Sequence, residues 1–187
     1  MKAVRVHRFG GPDVLVIDEL PIPAPGPGEL LVRVAAAGVG PWDALIREGK
    51  SKVSPPPPLT LGSDLSGAVE AAGAGVSDFK VGDRVYGVTN PQFCGANAEY
   101  ALASAGMIAR KPPRLSHIEA ASVPVVAVTA WQMLFDLCAG HGGTKNSYSG
   151  GGRKCWRLRG SVGGEVWPSP RRGGQTQGHR VCPKPGR

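Results

Sequence analysis

The 187-residue sequence lacks the cysteine spacings that bind structural zinc or form a redox dithiol. Its four cysteines are widely separated and contain no Cys-x-x-Cys pair: Cys94, Cys138, Cys155 and Cys182. No run approaches the roughly 20 apolar residues that a bilayer span needs, and the charged N-terminal residues do not resemble a signal peptide. These absences predict a reduced, cytoplasmic protein that does not associate with membranes.

Acidic residues are scarce at one end of the chain. Residues 140–187 contain 10 Lys and Arg but a single acid, Glu165, whereas residues 1–139 contain 12 basic and 13 acidic residues. The net charge of +8 therefore belongs to the tail. Because the tail also has 13 Gly and 4 Pro in 48 residues and no apolar period, the sequence predicts a disordered, basic Gly/Arg-rich segment over 139–187.

The first 137 residues have a different pattern, in which short apolar runs alternate with Gly and Pro turns. A short helix is predicted at 41–47, with Pro in its first turn. Strands are predicted at 2–7, 14–20, 29–39, 66–72, 81–88, 98–103 and 107–110. So many short strands between turns favour a small barrel or sandwich.

Two further helices are predicted at the end of this part. Ser116 and Glu119 have the spacing of a capping box. Residues 124–137 are apolar on nearly all sides, so the helix they form should be buried on nearly all sides. A barrel can cover only one of its faces. The segment 123–138 is therefore predicted to lead into a second domain.

Three segments, in this order and at these spacings, resemble the medium-chain dehydrogenase/reductase superfamily, and within it the zinc-free, zeta-crystallin-like quinone oxidoreductases. They are Met1–Val4 with Gly28–Val39, Leu61–Val69, and Val81–Gly87. The resemblance covers residues 1 to about 137. It implies a mainly β fold with short helices, in which residues 1–122 form a GroES-like, partly closed barrel. Such enzymes continue with a Rossmann domain, and the sequence after residue 137 does not show the pattern of one.

In the zinc-free branch, the loop after the third predicted strand lines the cofactor and substrate pocket. Gly40 and Leu45 stand where relatives often carry Asn and Tyr, so two polar groups are absent. Trp42 either stacks on a flat substrate or packs half-buried, and Asp43 is expected to hold the loop by hydrogen bonds. Thr129 lies where relatives touch the cofactor; the alternative is that it bonds to its own helix backbone.

The resemblance also bears on cofactors. Zinc-dependent relatives place a Cys ligand at Gly40 and a His ligand at Ser63, and neither residue present here suits catalytic zinc. In the intact family NADPH reduces a quinone or enone. The glycine clusters at 150–152 and 160–164 neither follow a predicted strand nor precede an apolar helix, so this chain is predicted to bind no NADPH.

A shifted reading frame accounts for the tail. Trp156 and Arg157, read one base forward, give a codon for Gly, and the degenerate codons around them permit a nucleotide-binding turn followed by an amphipathic helix. We therefore predict a frameshift near residues 137–143 that leaves a truncated, inactive oxidoreductase with no assignable catalytic residue. Without its partner domain, the apolar helix at 124–137 should cause self-association.

The alternative function is a non-catalytic scaffold whose basic tail binds nucleic acid. A shifted, GC-rich frame produces Gly, Arg and Pro in any case, which argues against this alternative.

Overall fold

The computed structural model describes residues 1–136, 148–150 and 154–156. The chain divides into two compact units, residues 1–142 and 143–187. In chain order, the strands and α-helices of the first unit are β1 (Lys2–Val6), β2 (Leu15–Glu19), β3 (Glu29–Ala37), α1 (Pro41–Arg47), β4 (Leu59–Thr60), β5 (Asp64–Ala72), β6 (Arg84–Val88), β7 (Tyr100–Ser104), β8 (Ile108–Arg110), α2 (His117–Ala121) and α3 (Pro124–Trp131).

The strands of the first unit form two sheets. One has the order β7-β3-β5-β6-β8 and the other the order β2-β1-β4, with antiparallel neighbours throughout. The long β3–β5 pairing shifts register twice, between Leu31 and Val32 and between Val34 and Ala36. Such irregularities bend strands and increase their twist, which suits a partly closed barrel. The mainly β fold predicted from the sequence is confirmed.

Two apolar clusters form the core. The larger lies on the five-stranded sheet and is built around Leu30, Val32, Leu65, Val69 and Val85, each at most 1% exposed. The smaller joins the three-stranded sheet to α1; its buried members are Val6, Val14, Ile46, Leu59 and Leu61. Burying one such side chain stabilises the fold by about 1.5–3 kcal/mol. The second cluster therefore fixes α1, which carries much of the candidate site.

The helices that end the first unit differ in how they are covered. The Ser116 hydroxyl accepts the Glu119 N–H at 3.2 Å and the Glu119 carboxylate accepts the Ser116 N–H at 2.8 Å, so the predicted capping box is confirmed. By contrast, α3 buries only Pro124 among its residues, and it continues as a π-helical turn, Gln132–Asp136. Its apolar side chains are thus left largely exposed by the rest of the described chain.

The second unit contains one described feature, an antiparallel pair of strands, β9 (Tyr148–Gly150) and β10 (Lys154–Trp156). The rest of the segment predicted to be disordered, and the predicted helix end at 137–138, lie outside the described residues. Within the described ranges, no helix is both long enough and apolar enough to cross a membrane.

Candidate functional site

The candidate site is built around the start of α1. Gly40 precedes the helix, and an ideal Cβ placed on it would overlap the indole ring of Trp42. Gly38 is equally confined, because a Cβ there would overlap the backbone oxygen of Ala121, at the end of α2. The two glycines therefore allow the Trp42 ring and α2 to pack directly on the loop backbone.

Asp43 fixes this loop. The residue is 5% exposed, and its carboxylate accepts two backbone N–H groups, that of Gly40 at 2.7 Å and that of Gly62 at 3.1 Å. Burial raises the Asp43 pKa, and the nearby Asp64 carboxylate adds to this, while the two N–H groups oppose it. Because its two oxygens accept N–H groups from two different segments, Asp43 holds the loop in position. The interpretation of Asp43 as a loop anchor is confirmed.

A line of hydrogen bonds runs from α1 to α3. The Trp42 indole N–H donates to the Ser63 hydroxyl at 2.8 Å, and this hydroxyl donates to the Asp64 carboxylate at 2.7 Å. The second Asp64 oxygen accepts the Val125 N–H at 2.8 Å, in the first turn of α3. Burial raises the Asp64 pKa, against the effect of these donors. Asp64 thus joins the pocket loop to the helix that ends the described domain.

The four predicted site residues are not gathered at one point. Gly40 and Trp42 are in contact, and Trp42 is half-buried against the core cluster around Ile46. Leu45 is 48% exposed on α1, and Thr129 is exposed on α3. The packing alternative for Trp42 matches this placement, while its stacking on a substrate stays a prediction. Contact of Leu45 or Thr129 with a ligand also stays a prediction.

A cleft of about 610 Å³ lies beside the Gly40 end of α1. Its walls are mostly apolar and come from β3, α1 and the loop before β7; its polar side chains are Asp43, Arg47 and Asn97. Arg47 is held in place, because its Nε donates to the Gly10 carbonyl at 3.1 Å and its Nη2 lies 3.1 Å from a Glu48 carboxylate oxygen. A mostly apolar cleft with a few polar groups suits the binding of a small, mostly apolar molecule.

Comparison with known proteins gives the family. Residues 26–113 match the alcohol dehydrogenase GroES-like domain. The quinone oxidoreductase of Homo sapiens is 39% identical over 135 residues, which are 72% of this chain and 40% of the human protein. This part of the chain belongs to the quinone oxidoreductase-like branch of the medium-chain dehydrogenase/reductase superfamily. We call residues 1–136 the quinone oxidoreductase-like domain.

Solved structures agree with this assignment. The quinone oxidoreductase from Coxiella burnetii matches with a TM-score of 0.68 at 35% identity, over 73% of this chain and 44% of that one. The Escherichia coli quinone oxidoreductase, solved in complex with NADPH, matches with a TM-score of 0.62 at 29% identity, over 72% and 40%. The chain thus spans about two fifths of the length of these relatives.

The two positions that the family resemblance aligns with zinc ligands, Gly40 and Ser63, take part in packing and hydrogen bonding in the quinone oxidoreductase-like domain. Gly40 is covered by the Trp42 indole, and the fully buried Ser63 hydroxyl lies between Trp42 and Asp64. In the described ranges, no three His, Cys, Asp or Glu side chains are placed to hold a metal ion. The donors at these positions do not fit a zinc ion.

The described residues do not fit a dinucleotide either. Such a site needs a glycine turn that leads from a parallel strand into a helix. Gly150 instead ends β9, and the next described element, β10, is a strand paired antiparallel to it. The quinone oxidoreductase-like domain offers an apolar cleft and a fixed loop, but within the described residues no cradle for a pyrophosphate is formed.

Arg47 and Asn97 line the cleft, and the sequence prediction missed both. Arg47 lies four residues after Asp43 on α1, so helical spacing places the two on one face. That signal was available in the sequence. Asn97 lies in an irregular loop that backbone hydrogen bonds hold against Val4 of β1 and against Leu61, the residue after β4. No local pattern around Asn97 indicates this placement.

Proposed function

We propose that residues 1–136 are the substrate-side half of a cytoplasmic, NADPH-dependent reductase of quinones or enones, and that the chain as written does not catalyse this reaction. The observation that carries the proposal is the abrupt change in composition near residue 140, just after a domain that matches quinone oxidoreductases. NADPH would supply the hydride in an intact parent. Here the described domain would bind and orient the acceptor in its apolar cleft.

The proposal extends to the cause of the change. A frameshift near residues 137–143 would replace the nucleotide-binding domain with the present Gly- and Arg-rich segment. The coding DNA around codons 135–170 tests this directly. We expect the shifted frame to encode a strand, a glycine turn and an amphipathic helix; an early stop codon in that frame would refute the frameshift.

A second experiment tests the loss of activity. Calorimetric titration of the whole chain with NADPH should show no binding. A protein made from the restored frame should bind NADPH and oxidise it in the presence of a quinone such as menadione. Micromolar NADPH binding by the present chain would contradict its inactivity, and a restored protein that binds NADPH but reduces no quinone or enone would contradict the substrate class.

The net charge of the tail supports one competing function, a scaffold that binds single-stranded nucleic acid through its Arg and Lys side chains. Binding of this kind weakens steeply as salt rises, because it releases counterions. Fluorescence anisotropy with a labelled oligonucleotide at two salt concentrations separates the functions. Salt-insensitive or undetectable binding would remove the scaffold from consideration.

A further inference from the structure

A second cleft, of about 360 Å³, lies on the five-stranded sheet beside α2. It is lined by Arg33, Ala35, Ala68, Gly82, Arg84 and His117. The two clefts share only Ala35. Three basic side chains and no acidic one line the second cleft, so it differs in chemistry from the apolar cleft beside α1.

Strand register explains why the two arginines face each other. Ala68 on β5 is directly opposite Arg33 on β3 and, on its other side, directly opposite Arg84 on β6. Directly opposed residues point to the same face of a sheet. With neighbouring strands about 4.8 Å apart, the two arginine Cα atoms lie roughly 10 Å apart with a methyl group between them. Two long guanidinium side chains can therefore reach one ligand above Ala68.

His117 forms a third side of the cleft. The Ser66 hydroxyl lies 2.8 Å from its Nδ1 and 2.9 Å from the Val85 carbonyl, with a single proton for the two acceptors. When the ring proton is on Nε2, Nδ1 accepts from Ser66 and Nε2 can donate to an anionic ligand. Burial lowers the His117 pKa, and the positive charges of Lys111 and Arg84 lower it further.

The positive charge around the cleft is poorly neutralised. Among the described residues, the Arg84 side chain has no hydrogen-bond or ion-pair partner. Arg33 has an exposed partner, the Glu70 carboxylate, at 3.6 Å. An exposed pair at this distance holds its arginine only weakly. Lys111 is already bound to the carbonyls of Pro112 and Leu115. A ligand with two negative charges would complete the arrangement.

We propose that this cleft binds a phosphate dianion, either free or as a phosphomonoester, between Arg33 and Arg84 and against the His117 ring. The planar guanidinium groups match the paired oxygens of a phosphate, and the small Ala35 and Ala68 side chains leave room for it. The proposal stands on strand register and contacts in the first unit, and it is independent of the reductase function.

Phosphorus-31 NMR titration of the whole chain with inorganic phosphate, at low salt and near neutral pH, tests the proposal. Arg84→Gln should weaken phosphate binding about tenfold or more, since hydrogen bonds to a charged ligand are lost. Arg8→Gln is the matched control, because Arg8 is an exposed arginine with a carboxylate partner at 3.5 Å, outside the cleft. The basic tail is unchanged in every variant, so its own binding cancels.

Two further measurements keep the test decisive. Glu70→Gln should tighten phosphate binding, because it releases Arg33 from its partner. Arg84→Lys, which retains the charge, should bind with intermediate affinity and serves in place of Arg84→Gln should the latter fail to fold. Titration with phosphoserine distinguishes the source: tighter binding than that of inorganic phosphate indicates a phosphomonoester, and weaker binding indicates the free ion. Equal phosphate affinity in the wild type and the Arg84 variants, or no binding at all, would overturn the proposal.

Discussion

A few backbone contacts fix the conformation of the loop at the start of α1, around Gly40 and Asp43. Gly40 has room for no side chain under the Trp42 indole, and the two Asp43 oxygens are taken by N–H groups from two different segments. Each of these contacts depends on a single residue. We therefore expect single substitutions here to lower the free energy of unfolding more than substitutions at exposed positions do.

Gly40→Ala should push the Trp42 ring away and break its hydrogen bond with Ser63. We expect a loss of about 1–3 kcal/mol in the free energy of unfolding, which is typical of overpacking. Urea unfolding measures it. Gly106→Ala is the control, because a Cβ at Gly106 meets nothing within 4 Å. Equal effects at the two glycines would mean that the indole contact is not the cause.

Asp64→Asn should alter the pH dependence of stability. Burial raises the Asp64 pKa above its ordinary 3.8, so the folded state holds the proton more tightly than the unfolded state does. This stabilising effect is fully present below the unfolded pKa and is lost as pH rises through the higher folded pKa. The unfolding free energy of the wild type minus that of the variant should therefore fall over this interval and then level off.

Asp83→Asn provides a control of opposite sign, again measured by urea unfolding at a series of pH values. Hydrogen bonding by the Lys80 N–H lowers the Asp83 pKa, with Arg110 contributing. Its contribution to stability is present above the unfolded pKa and is lost as pH falls. The unfolding free energy of the wild type minus that of the Asp83→Asn variant should therefore rise with pH. Parallel trends in the two variants would refute the assignment of the effect to burial of Asp64.

At the scale of elements, sequence patterns predicted bounds well where the cause is local. Alternation of apolar residues placed β1 and β2 within a residue or two, and Pro41 and the Ser116–Glu119 pair marked the starts of α1 and α2. The bond from Asp64 to Val125 joins residues 61 positions apart. No local pattern signals such a link, so the sequence showed the pocket loop but not what anchors it.

Ser116→Ala should remove the hydroxyl that accepts the Glu119 N–H at the start of α2. We expect a loss of about 1 kcal/mol, the usual effect of deleting an N-cap side chain. Thermal unfolding monitored by circular dichroism measures it. Ser77→Ala, at an exposed position outside any helix, should leave the melting temperature unchanged. An unchanged melting temperature in the Ser116→Ala variant would show that the cap does not contribute to stability.

At the scale of the whole molecule, the main feature is the exposed apolar surface at the end of the domain. Val126, Val128, Trp131 and Phe135 are each 38–54% exposed. Val128 and Trp131 lie three residues apart on α3, and the Trp131 and Phe135 ring centroids are 4.3 Å apart, so these three form one exposed apolar surface. Exposed surfaces of this kind tend to associate. The sequence predicted this helix to need a partner, because its apolar residues lie on nearly all sides. What covers the helix could not be predicted, since that depends on chain beyond it.

The intact chain should therefore self-associate in a concentration-dependent way. Val128→Glu should shift it toward monomer, because it places a charge in the middle of this surface; analytical ultracentrifugation measures the shift. Ile118→Glu is the control, since Ile118 is 78% exposed on α2 and lies outside the surface. A wild type that stays monomeric at all concentrations would refute the prediction.

The hydrogen-bond line from Trp42 to Val125 couples two helices, α1 and α3, through one side chain. A carboxylate of β5 fixes the direction in which α3 leaves the barrel, and the same carboxylate orients the indole beside the pocket. The direction of α3 and the placement of the indole therefore both depend on one side chain, that of Asp64. Evolution could then adjust neither independently of the other.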